Sequence, residues 1–85
     1  MARFYFHLRA DGELLTDDEG QVLPDLSAAR READQAAREI LAEAIRAGKE
    51  EVPEAFVIAD EAGREIDIVP LTAVLPKHLR PLQQR

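Results

Sequence analysis

Hydrophobic and polar residues alternate through Arg3-Phe4-Tyr5-Phe6-His7-Leu8-Arg9, which places Phe4, Phe6 and Leu8 on one face of a strand and Tyr5, His7 and Arg9 on the other. An Asp11-Gly12 turn follows, and Leu14 to Thr16 can return antiparallel to that strand. Asp17-Asp18-Glu19-Gly20 reads as a second turn, followed by the short apolar pair Val22-Leu23. The period then changes. Pro24 cannot continue a ladder, and Asp25 or Ser27 offers a side-chain oxygen to the first turn of a helix. Leu26, Ala29, Ala33, Ala36, Ala37, Ile40, Leu41, Ala44 and Ile45 recur at three- and four-residue spacing and form one apolar stripe, and Gly48 stands where a C-terminal cap belongs.

After a charged linker, 49–54, the strand period returns. Ala55 to Asp60 reads as a strand, Glu61-Ala62-Gly63 as its turn and Arg64 to Val69 as the returning strand. Glu65 and Asp67 are expected to face water, which would turn Ile66 and Ile68 inward beside Phe56 and Ile58. Leu71 to Leu75 can form a short helical turn, and Pro76 and Pro81 punctuate a polar C-terminus.

The predicted architecture is a single α+β domain over 1–76, of ββαββ order. An antiparallel sheet of three or four strands carries one long helix packed on one face, and 77–85 form a basic tail. One helix covers one face of the sheet. The other face would present Tyr5, His7, Arg9, Val57, Ala59 and Val69. A helix of about 22 residues spans roughly 33 Å against about 20 Å for these strands, so Ile40, Leu41 and Ile45 are expected to overhang and need cover.

Composition narrows the chemistry. The 85 residues carry a formal charge of −6 and no cysteine. Thiolate chemistry and disulfides are therefore excluded, and the chain suits a reducing, cytoplasmic setting. Residues 10–25 hold six acids and no base, whereas the helix balances four acids against four arginines and the last nine residues carry Lys77, Arg80 and Arg85. Such an acidic chain disfavours nucleic acid as a partner. No apolar run approaches the ~20 residues that span a bilayer, so no membrane partner is expected.

No cluster carries catalytic or cofactor chemistry. Asp17, Asp18 and Glu19 lack the alternating ligand order of a calcium loop and read as an acidic turn. His7, on the open face, reads as an interface residue rather than a general base, and His78 falls in the tail. Thr16 and Ser27 have no nucleophile-elbow context, the glycines are isolated, and Tyr5 alone makes a poor stacking platform. No metal, cofactor or catalytic residue is expected.

The strand Arg3 to Arg9, the Asp18-Glu19-Gly20 turn, Leu23-Pro24-Asp25-Leu26 with Ala28-Ala29, and the Ala59-Asp60-Glu61-Ala62-Gly63 hairpin resemble the DUF6894 family of short bacterial proteins. That resemblance covers residues 3 to about 69 and implies a compact bacterial domain with no established activity. A more distant similarity links the strand, strand, helix, strand order to antitoxins with a partial ribonuclease-H-like sheet, without their DNA-binding extension. The expected function is a non-enzymatic protein-interaction module that forms a homodimer. The alternative is an antitoxin-like or regulatory protein that binds a basic partner through its acidic 10–25 segment.

Overall fold

The computed structural model describes residues 1–81. Its elements run β1 (Ala2–Ala10), β2 (Glu13–Leu15), β3 (Gln21–Leu23), α1 (Leu26–Ala47), β4 (Ala55–Ala59) and β5 (Glu65–Pro70), followed by 3-10 turns at Leu71–Val74 and Lys77–Leu79. The expected α+β fold with one long helix is observed, and the antiparallel sheet has five strands. Three of them precede the helix, because β2 and β3 pair with opposite ends of β1: Leu8, Arg9 and Ala10 face β2, whereas Ala2, Arg3 and Phe4 face β3. On its other edge β1 pairs with β4, and β4 with β5. Of the expected tail, residues 82–85 lie outside the described residues.

The helix starts and stops where its ends are chemically satisfied. The Asp25 carboxylate accepts the Ala28 N–H at 2.9 Å, so Asp25 rather than Ser27 is the cap. Gly48 takes φ 70° and closes the last turn by donating its N–H toward Ala44 and Ile45. Between these ends Ala29, Ala33 and Ala37 are fully buried, one per turn, and their small size brings the helix axis close to the sheet.

The core lies between helix and sheet and joins Phe4, the three alanines, Phe56, Ile58, Val69 and Leu71. Ile40 and Leu41 pack against this cluster together with Val74. The turn Leu71–Val74 therefore shares in covering the C-terminal half of the helix, and Ile45 alone of the three expected overhanging side chains remains exposed, at 75%.

β5 departs from the expected facing. The hairpin between β4 and β5 is closed by the Asp60 N–H on Arg64 O at 2.9 Å, with Ala59 opposite Glu65. A regular ladder would then put Ile66 opposite Ile58. Instead a bulge makes Ile66 the extra residue, and Ile58 faces Asp67. A one-residue slip exchanges the two faces of a strand. Val69 accordingly sits opposite Phe56 in the core, 3% exposed, while Ile66 and Ile68 point to the second face at 38% and 45% exposure. This reverses the expectation that Ile66 and Ile68 point inward and that Val69 belongs to the open face.

Candidate functional site: the second face of the sheet

Strand alternation places Arg3, Tyr5, His7 and Arg9 on the face of β1 that the helix does not cover. The Tyr5 and His7 rings stack with centroids 6.5 Å apart and planes 25° from parallel. Cross-strand partners share a face, so Leu14 opposite Arg9, Val22 opposite Arg3 and Ile68 opposite Val57 extend this surface across the sheet. Leu14 and Val22 are 39% and 49% exposed. This sheet face therefore carries four large exposed aliphatic side chains around a half-buried Tyr5–His7 ridge.

Of the residues expected here, Tyr5, His7 and Arg9 are brought together and remain accessible. Val57 and Ala59 lie on the same face, but at 0% and 1% exposure they form a floor beneath their neighbours. Val69 is on the opposite face, and Ile40 and Leu41 belong to the core, leaving Ile45 isolated at the far end of the helix. Sequence reasoning missed Leu14, Val22, Ile66 and Ile68. The first two sit in strands of three residues, too short to show an alternation, and the last two were hidden by the bulge.

The edge of β1 between β2 and β3 is closed by a side chain. Asp17 Oδ2 accepts the Phe6 N–H at 3.1 Å, and Oδ1 accepts the N–H groups of Glu19 at 3.1 Å and Gly20 at 3.2 Å. The Asp17 N–H in turn donates to His7 Nδ1 at 3.0 Å, which leaves the neutral ring's proton on Nε2. Desolvation acts to raise the pKa of Asp17. The three backbone donors, Phe6, Gly20 and Glu19, outweigh it and hold the carboxyl below its ordinary value of 3.8. The acidic turn is thus a structural plug, and its first carboxylate is already committed.

At the other sheet edge Asp67 has a comparable role. Oδ1 accepts the Ile68 N–H at 2.8 Å, occupying an N–H that points away from β4, and Oδ2 pairs with Arg30 on the helix. A blocked edge of this kind resists the addition of another strand. Asp17 and Asp67 thus each occupy a backbone N–H that would otherwise be open to an added strand, at Phe6 and at Ile68.

Among the described residues no cavity is present, and no group of three or more histidine or acidic side chains is placed to hold a metal ion. No helix among them is long and apolar enough to cross a membrane. No curated protein and no solved structure matches the chain. β1 from Arg3 onward, the acidic plug, the helix and both strands that follow nevertheless fall within one match, over residues 3–72, and by that match the chain belongs to the family of the domain of unknown function DUF6894.

Proposed function

We propose that this domain is a non-enzymatic protein-interaction module that associates with itself through the second face of its sheet. The observation that carries the reading is the grouping of Leu14, Val22, Ile66 and Ile68, all more than a third exposed, around Tyr5 and His7 on one side of a single sheet. Isolated exposed aliphatics are ordinary, but a rimmed cluster on a rigid surface is the usual form of a contact site. The bacterial cytoplasm is the proposed setting, by the family resemblance and the absence of cysteine.

The alternative, capture of a basic partner by the 10–25 segment, has less support. Asp17 and Asp25 spend their carboxylates on backbone N–H groups, which leaves Asp11, Glu13, Asp18 and Glu19 for a partner. Light scattering across protein and salt concentrations separates the two. Apolar self-association gives a concentration-dependent dimer that survives high salt, whereas a monomer at all concentrations would overturn the reading.

A further inference from the structure

Along β1 and the β2 and β3 column beside it, the chemistry of the second face is palindromic about the level of Phe6. Tyr5 and His7 flank that level by one residue on either side along β1, and Arg3 and Arg9 by three. On the neighbouring edge, Val22 lies opposite Arg3 and Leu14 opposite Arg9, so an aliphatic residue stands at each end. On the far side of β4, Ile68 lies at the level of His7 and Glu65, opposite Ala59, at the level of Tyr5, with Ile66 the extra residue next to it at the bulge. Tyr5 and His7, Arg3 and Arg9, and Val22 and Leu14 are thus counterparts at mirrored levels in the same column, whereas β5 breaks the pattern, with Glu65 at the level that mirrors Ile68.

Resting on the proposed self-association, we infer that the occupant of this face is a second copy related by a twofold axis that lies in the plane of the sheet and crosses the strands at Phe6 and Ile58. An isologous contact must bring each residue against the partner's counterpart. This axis brings Tyr5 onto the partner's His7, Leu14 onto its Val22 and Ile68 onto the bulge of its β5, where Glu65 and Ile66 stand. An axis parallel to the strands would instead preserve level and exchange edges, setting Ile68 over the hydrogen-bonded Asp17 plug. Packing two such sheets face to face yields an aligned sandwich with the strands within about 30° of one another.

The size of the face is sufficient. Seven residue levels at about 3.4 Å and four columns at about 4.8 Å give a footprint of roughly 450 Å² on each copy. Side-chain relief makes the accessible area larger than the footprint, so two faces together reach on the order of the 1,000 Å² that a specific contact needs.

The same axis has one unfavourable consequence. It sets Arg3, whose guanidinium donates to the Glu19 carbonyl at 2.9 Å within its own chain, against the partner's Arg9, twice, at the ends of the contact where water enters. Repulsion there is screened by ions, so dimerisation should tighten as salt rises. Reversing one charge should turn both repulsions into ion pairs.

The test is sedimentation equilibrium of the full chain and its Arg3→Glu, Arg9→Glu and double variants, with circular dichroism to confirm folding. Each single variant is expected to lower the dimer dissociation constant by roughly tenfold, and the double variant to return it to the parent value. The two single variants reach the same pair from opposite sides, so a folding defect in one leaves the other to decide. A dimer that Ile68→Asp disrupts but that neither charge reversal tightens would discard this axis while keeping the face. A parent protein that stays monomeric would discard the association itself.

Discussion

The carboxylate of Asp17 stands opposite Phe6 as a strand residue would, accepting its N–H at 3.1 Å in the interval between β2 and β3. Neither short strand covers that part of β1. One side chain thereby joins two three-residue strands into a continuous edge, and its second oxygen shapes the loop by holding Glu19 and Gly20. Removing it frees three backbone N–H groups at once. Asp17→Ala should lower stability by about 1 to 3 kcal/mol in urea denaturation, with Asp17→Asn less affected because an amide oxygen can still accept.

The pH dependence follows from the same contacts. Because the folded state holds the Asp17 carboxyl below 3.8, the folded form binds the proton less readily than the unfolded chain does. Its contribution is complete above the unfolded value of about 4 and is lost as pH falls through the lower folded value. Urea midpoints measured from pH 6 down to pH 2 should therefore fall less steeply for Asp17→Asn than for the parent. Equal slopes would show that this carboxylate is not a source of acid sensitivity.

Gly20 and Gly48 both adopt positive φ, at 68° and 70°, but they differ in surroundings. A Cβ on Gly48 would meet nothing within 4 Å, whereas one on Gly20 would lie 2.8 Å from the Phe4 carbonyl oxygen and 3.0 Å from Arg3 and Tyr5 side-chain atoms. Gly48→Ala should cost only the left-handed penalty of about 1 kcal/mol. Gly20→Ala should cost clearly more, by adding a backbone clash at the sheet, and thermal melts of the pair would show the difference.

Ile68 and Val57 lie opposite one another on the same face, yet one is 45% exposed and the other fully buried. Ile68→Asp should leave the fold intact and abolish self-association in light scattering. Val57→Asp should unfold the domain, since an unpaired buried carboxylate costs several kcal/mol. A folded but still dimeric Ile68→Asp protein would count against the face.

Asp67 is expected to protect against association of another kind. Arg30 is more than half exposed, so the ion pair itself contributes at most about 1 kcal/mol. Asp67→Ala should therefore melt close to the parent while exposing the Ile68 N–H at the edge of β5. Faster growth of thioflavin-positive aggregates at unchanged melting temperature would reveal the loss of edge protection.

Much of this architecture is local and therefore legible. The alternation in β1, the Pro24-Asp25 break, the alanine stripe and the Gly48 stop each act over a few residues, and each element appears where those signals put it. The Leu71–Val74 turn was equally readable from the proline that precedes it. Tyr5, His7 and Arg9 share a face because period-two geometry leaves no other arrangement once Phe4, Phe6 and Leu8 are inside.

What only the tertiary structure decided is the facing of β5 and the exposure of its neighbours. The parity of Ile66 and Ile68 is plain in the sequence, but which parity meets the helix depends on how β5 registers with β4, and a single extra residue at the bulge reverses it. Val69 enters the core because it meets Phe56, and Asp67 can occupy the helix side because Arg30 and the Ile68 N–H are there to receive it. Val57 is buried on the face away from the helix, in a central strand where it is flanked by its paired neighbours His7 and Ile68. Local sequence determines the elements through short-range sterics and hydrogen bonding. Register and burial are properties of pairs of distant segments, settled only when those segments meet.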